Sequence, residues 1–189
     1  SSIEIRQQVN TERQKMSDVE REIQTALTVS SEEAKEVRKN LKAITPEAFD
    51  SIVKMQENIR SKGWEKGKTP EELAQQREAM AKVMTSGFYV VEKATGGGKT
   101  AMQLQAVYVR QLLREGSRNL TIVPDGKNVS DFIAEAKNLG LDKAKDFTAL
   151  FIHEDGTATI FKAGEVKEKV AAKDFNKEDF NSVVMASHT

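Results

Sequence analysis

The segment "VVEKATGGGKTAMQL" (residues 90–104) restricts what this chain can fold into more than any other. Gly96, Gly97 and Gly98 follow directly on an apolar run and directly precede a helical one. Glycine loses more backbone freedom on folding than any other residue, so three in a row weaken either kind of element. Two explanations are open: a loop that is simply flexible, or a loop whose backbone must approach something closely, with Lys99 and Thr100 behind it. The flanks decide between them. "GFYVVEKA" (87–94) is short, apolar and rich in β-formers, which fits a buried strand. "KTAMQLQAVYVRQLLREG" (99–116) has helical spacing and stops at Gly116. A glycine loop between a strand and a helix N-terminus is a phosphate cradle: its N–H groups point inward, and the helix dipole favours negative charge there. Lys99 adds a cation within reach of terminal phosphates, and the Thr100 hydroxyl suits Mg²⁺. The usual phosphate-loop pattern has another glycine five residues before Gly98, where this chain has Lys93.

The rest of the chain supplies a context for that loop. Apolar residues from Ile5 to Leu27 are sparse and fall three and four apart. Val9, Met16 and Ile23 share one heptad position; Ile5, Val19 and Ala26 share the other, interrupted by Glu12. The pattern predicts a narrow-striped helix making helix–helix contact through residues 5–27. Ser30 with Glu33 forms a capping-box pattern that restarts the chain as a second helix. Pro46 opens a third helix, running to about Ser61. "SKGWEKGKTP" (61–70) is a linker, and the expected boundary falls there: an all-α N-terminal region over 1–68 and an α/β nucleotide-binding domain over 69–189. In that second part Thr69 caps a helix, "RNLTIVPD" (118–125) is a strand, and a helix capped by Asn128 or Ser130 closes at Gly140. The residues after Gly164 read as a charged helical stretch and "NSVVMASHT" as a last strand. Strand, loop, helix, strand and helix in succession imply a parallel sheet with crossover helices.

Composition narrows the classes. Formal net charge is zero, so no global field points to nucleic acid or an anionic membrane. No cysteine is present, which excludes disulfides and thiolate metal sites and fits a reducing compartment. No apolar run approaches the ~18 residues of a membrane span, and the first residues lack a basic-then-apolar signal pattern. The expected location is the cytoplasm.

The run Thr95-Gly96-Gly97-Gly98-Lys99-Thr100, without the leading glycine, resembles motif I of superfamily-two helicases and translocases. Gln76-Arg77-Glu78-Ala79, 20 residues ahead of Gly96, resembles the helix on which those motors place an adenine-reading glutamine. Such an amide can pair with the N6 donor and N7 acceptor of adenine. The resemblance covers about residues 70–189 and implies a P-loop NTPase, RecA-like domain that binds ATP and Mg²⁺. Gln76, Thr95, Gly96, Gly97, Gly98, Lys99 and Thr100 would bind the nucleotide, Lys99 and Thr100 acting on the phosphates and Thr100 on the metal. The same arrangement is also similar to the motor of the bacterial preprotein translocase, whose track is polypeptide. Asp125 and Gly126 stand where a nucleic-acid motor offers hydroxyl or basic groups, and a carboxylate there repels a phosphate backbone.

The acid that would position Mg²⁺ and water is not evident. Glu154-Asp155 after "ALFIH" imitates such a strand end, but Asp155-Gly156 is a hairpin signal and "TATIFK" alternates behind it as a returning strand. In the family resembled, the acidic strand follows the one that "SVVMASHT" matches, so the chain is expected to be the first part of a longer motor. Trp64 is a candidate for stacking on adenine or for packing among the N-terminal helices. His153 and His188 have no companions at metal-ligand spacing, and Lys62, Lys66 and Lys68 read as solvated linker. Three functions remain open: a motor domain acting on nucleic acid, the same core acting on polypeptide, and a nucleotide-binding interaction module.

Overall fold

The computed structural model describes residues 1–85, 99–114 and 116–187, with Lys99 described in its backbone. The chain divides into two compact units, Ser1–Tyr89 and Val90–Thr189.

The first unit is helical. Helix α1 (Ser2–Thr28) opens with a capping box between Ser1 and Glu4. Only its second half enters a core: Glu22, Ile23, Ala26 and Leu27 are buried, whereas Ile3, Ile5, Val9 and Met16 are exposed. Helix α2 (Ser31–Val37) starts with the Ser30–Glu33 capping box that its sequence announces. Helix α3 (Pro46–Ser61) has Thr45 as N-cap and buries Phe49, Ile52, Val53, Met55 and Ile59 on one side. Helix α4 (Pro70–Thr85) begins where Glu72 N–H donates to Thr69 Oγ1 at 3.1 Å. Its buried side, Met80, Ala81 and Met84, belongs with α1, against which α4 packs. The boundary expected at residue 68 is thereby corrected: α4 is part of the helical unit.

Two charged side chains hold the turns of this unit. Glu22 lies on α1 and is 5% exposed, yet its carboxylate accepts from the backbone N–H groups of Lys42, Ala43 and Ile44 at 2.8, 2.9 and 2.9 Å. Arg60, on α3, donates to the carbonyls of Leu27, Thr28 and Val29, which end α1 without intrahelical partners of their own.

The second unit is α/β. Helix α5 (Lys99–Leu113) leads into strand β1 (Asn119–Val123), followed by α6 (Gly126–Asn138), β2 (Ala149–Ile152), β3 (Thr157–Lys162), β4 (Glu165–Ala171) and β5 (Ser182–Ala186). The charged stretch after Gly164, expected as helix, is thus strand β4. The sheet order is β1-β5-β2-β3-β4. Strands β1, β5 and β2 are parallel, while β2–β3 and β3–β4 are antiparallel. The parallel sheet expected from the sequence is therefore found in β1, β5 and β2 only, and the expected hairpin at Asp155-Gly156 together with β4 makes the whole sheet mixed. The cause is the pair of tight turns after β2 and β3: a parallel return needs a crossover of a dozen or more residues, and a short turn permits only a hairpin.

Side chains alternate across this sheet. On one side, Phe151 packs on Phe161, Phe161 on Phe147, and Phe147 on Tyr108 of α5, with ring centroids 5.0 to 6.4 Å apart. The other side gathers Leu150, Ile152, Ile160, Val183 and Phe180. Helix α6 ends in a left-handed Gly140 (φ 82°), whose N–H donates to the Lys137 carbonyl while Leu141 N–H donates to that of Ala136. This double closure needs a positive φ that glycine adopts without a Cβ penalty.

Candidate functional site

Lys99 is the first residue of α5 and Thr100 the second, so the structure brings these two candidates together at a helix N-terminus. Thr95, Gly96, Gly97 and Gly98 lie outside the described residues, as do the strand expected over 87–94 and His188. A helix start leaves backbone N–H groups without intrahelical acceptors and carries the positive end of the dipole. The first turn of α5 contains no acidic residue, so no carboxylate of its own competes for that end. The Thr100 side chain is half-buried.

Connectivity orients α5 against the sheet. Tyr108 donates to Asp146 Oδ1 at 2.6 Å and meets Phe147 edge-on, both just ahead of β2, and the helix ends shortly before β1 begins. Its second half thus lies at the end where the parallel strands start. Lys99 stands nine residues back, roughly 13 Å along the axis. Ligands of α/β sheets bind at the end where the parallel strands finish.

The same end carries the other acids singled out in the sequence, and each has a structural task. Asp125, which directly follows β1 and Pro124, is the N-cap of α6: its Oδ1 accepts from Asn128 N–H at 3.1 Å. The cap expected at Asn128 or Ser130 is corrected to Asp125. Glu154 reaches the same helix start, where Gly126 N–H donates to its Oε1 at 2.9 Å. A Cβ at position 126 would stand 2.9 Å from the Glu154 Cδ, so the close approach depends on glycine there. Asp155 belongs to the β2–β3 hairpin that the sequence predicts. Its Oδ1 accepts from both the Oγ1 and the N–H of Thr157, at 2.7 and 2.9 Å, and these bonds hold its carboxyl below the ordinary range. Ser187, the last described residue, donates its N–H to the Val123 carbonyl at 2.9 Å.

Gln76 lies on α4, in the helical unit, with its half-buried amide accepting from Lys68 Nζ at 3.1 Å. Its neighbour Arg77 donates to both oxygens of Glu65, at 3.1 and 3.3 Å. Glu65 also accepts from Gln56 and Arg60, so the 61–70 linker is tied to α3 and α4. Burial of Glu65, the largest single influence, works to raise its pKa. The bonds from Gln56 and Arg77 and the charges of Arg77 and Arg60 outweigh it and leave the carboxyl more acidic than usual. Trp64, in the same linker, is exposed.

No cluster of three or more His, Cys, Asp or Glu side chains able to hold a metal occurs among the described residues. No helix among them is long and apolar enough to cross a membrane. Sequence reasoning missed Glu22, Glu154 as the occupant of the α6 start, and the left-handed turn at Lys169. No local signal marks the first two, because their partners lie 20 to 28 residues away in the chain. No protein-family model, curated protein or solved structure matches the chain.

Proposed function

We propose that the chain is the ATP·Mg-binding first motor domain of a helicase- or translocase-like ATPase, built on a RecA-like sheet. The observation that supports this most is the run Thr95–Thr100, which leads straight into α5 with Lys99 as its first residue and no acid in its first turn. The donor set suits a polyphosphate: loop and helix N–H groups, one ammonium and one hydroxyl. Lys99 binds the terminal phosphates and Thr100 holds the hydroxyl that meets Mg²⁺. When bound, Mg²⁺ supplies charge neutralisation on the phosphates. Gln76 reads the adenine edge.

Nucleic acid is the first reading for the track, by resemblance to the helicases. Polypeptide is the second, and one specific observation favours it. The α6 start, which follows β1 where a strand-binding motor would meet a phosphate backbone, is taken by the carboxylates of Asp125 and Glu154. Two acids there oppose a polyanion.

The test of the nucleotide reading is base selectivity. Guanine offers O6 where adenine offers N6–H, so one arm of the Gln76 amide faces the wrong partner. A good bidentate pair is worth about 1–3 kcal/mol. The protein is expected to prefer ATP over GTP, and Gln76→Ala to lose most of that preference. Equal binding of the two nucleotides by the unmodified protein rules out the adenine-reading role.

A further inference from the structure

An open cavity of about 340 Å³ lies between α6 and the β2–β3–β4 strands. Helix α6 contributes Ser130 and Ile133, the turn after β2 contributes His153 and Asp155, β3 contributes Thr157, and β4 contributes Lys169. Its wall is mixed, with one buried hydroxyl in its floor. Thr159 is 4% exposed and sits between Ala158 and Ile160 in a strand otherwise apolar at its centre, yet its Oγ1 is 2.9 Å from His153 Nε2.

The backbone of β4 is bent at this point. Ala158 faces Val170 and Ile160 faces Lys167, so Glu168 and Lys169 together oppose Thr159, and Lys169 has φ 56°. A bulge of this kind re-aims a side chain, and a non-glycine residue held in the left-handed region is a strained conformation that clusters at binding sites.

The charges in the cavity do not cancel one another locally. Glu168 is paired with Lys137 at 3.3 Å. Asp155 uses Oδ1 for both Thr157 bonds. Lys169 has no ion-pair partner among the described residues. An ammonium and a carboxylate that are not paired with one another therefore line a cavity whose volume falls in the range of small-ligand sites. The geometry points to a binding site for a small zwitterion of the α-amino-acid class, free or as a short peptide. The ligand's ammonium meets Asp155, its carboxylate meets Lys169 and the Ser130 hydroxyl, and Ile133 offers an apolar wall to its side chain. A simple anion would meet the Asp155 carboxylate, and a simple cation the Lys169 ammonium.

Titration calorimetry on the 189-residue protein tests this, with the protein amino acids, glycylglycine and trialanine as probes. Saturable binding of at least one probe is expected. N-acetylation or amidation of the best probe should weaken it about 10- to 100-fold, the loss of one charged hydrogen bond. Lys169→Asn and Asp155→Asn should each do the same. Asparagine tolerates the left-handed region, and in Asp155→Asn the side-chain amide keeps an oxygen for Thr157, so both variants are expected to retain the wild-type circular dichroism spectrum. Tighter binding of free amino acids assigns the site to them, and tighter binding of the peptides assigns it to chain termini. The proposal is overturned if no probe saturates at millimolar concentration, or if both variants bind the best probe as the unmodified protein does.

Discussion

Glu22 shows how much one residue can organise. A carboxylate that is 5% exposed accepts three backbone N–H bonds from the 42–44 turn and so fixes how the chain leaves α2 for α3. The Ile44 N–H is buried and has no water to turn to, whereas those of Lys42 and Ala43 are partly exposed. Leaving a buried donor unsatisfied costs about 1–3 kcal/mol. Glu22→Ala is expected to destabilise by that amount, seen as a lower urea midpoint at unchanged slope. Glu22→Gln, which keeps one acceptor oxygen, should lose less. A loss below about 0.5 kcal/mol for the alanine variant, ordinary for a surface change, would mean that the turn holds without the carboxylate.

Among the elements, those with local signals are legible in the sequence and those defined by distant partners are not. The caps at Ser30 and Thr69, Pro46 at the start of α3, the α6 stop at Gly140 and the hairpin at Asp155-Gly156 are all short-range devices, and each stands where the sequence puts it. Strand β4 reads as helix because "EVKEKVA" is rich in Glu and Lys, which are good helix formers. It forms the edge of the sheet, where charged side chains discourage pairing with other chains. The turn before it hides as well: Ala163 and Gly164 both have positive φ, at 55° and 77°, with alanine where asparagine or aspartate would have given the signal. The assignment of α4 to the helical unit rests on packing with α1, which no local pattern encodes. Of the candidate site, the helix that begins at Lys99 is legible, because helix periodicity is local; the glycine loop lies outside the described residues, and the tasks of Asp125 and Glu154 are not legible.

The linker network adds a pH dependence at this scale. The folded-state pKa of Glu65 lies below its ordinary value of 4.5. Its contribution is therefore present above that value and is lost as pH falls through the lower, folded one. The stability gap between the unmodified protein and Glu65→Gln, measured by urea unfolding, is expected to be constant near neutrality and to shrink below about pH 4. A gap that stays the same down to about pH 2 would show that the ionised carboxylate is not what ties the linker down.

At the scale of the whole molecule, binding and turnover separate. Phosphoryl transfer needs an acid to hold Mg²⁺ and orient water, and a cation to stabilise the transferring group. Glu154 and Asp155 are engaged at the α6 start and in the hairpin turn, and Asp125 caps α6. An arginine finger alone is worth about 10³–10⁵ in rate. The 189-residue chain is therefore expected to bind ATP but hydrolyse it slowly. Single-turnover hydrolysis at about 1 s⁻¹ or faster, abolished by Glu154→Gln, would instead make Glu154 part of a complete site.

The proposed function depends on Lys99 meeting phosphate at the start of α5. Calorimetric titration of ATP·Mg into the unmodified protein and into Lys99→Ala measures this directly. A charged hydrogen bond is worth about 1.5–3 kcal/mol, so the variant is expected to bind roughly ten- to a hundredfold more weakly, with unchanged thermal stability in the absence of nucleotide. Equal affinity in the two proteins, or no ATP binding by either, would contradict the phosphate-loop assignment and the motor reading with it.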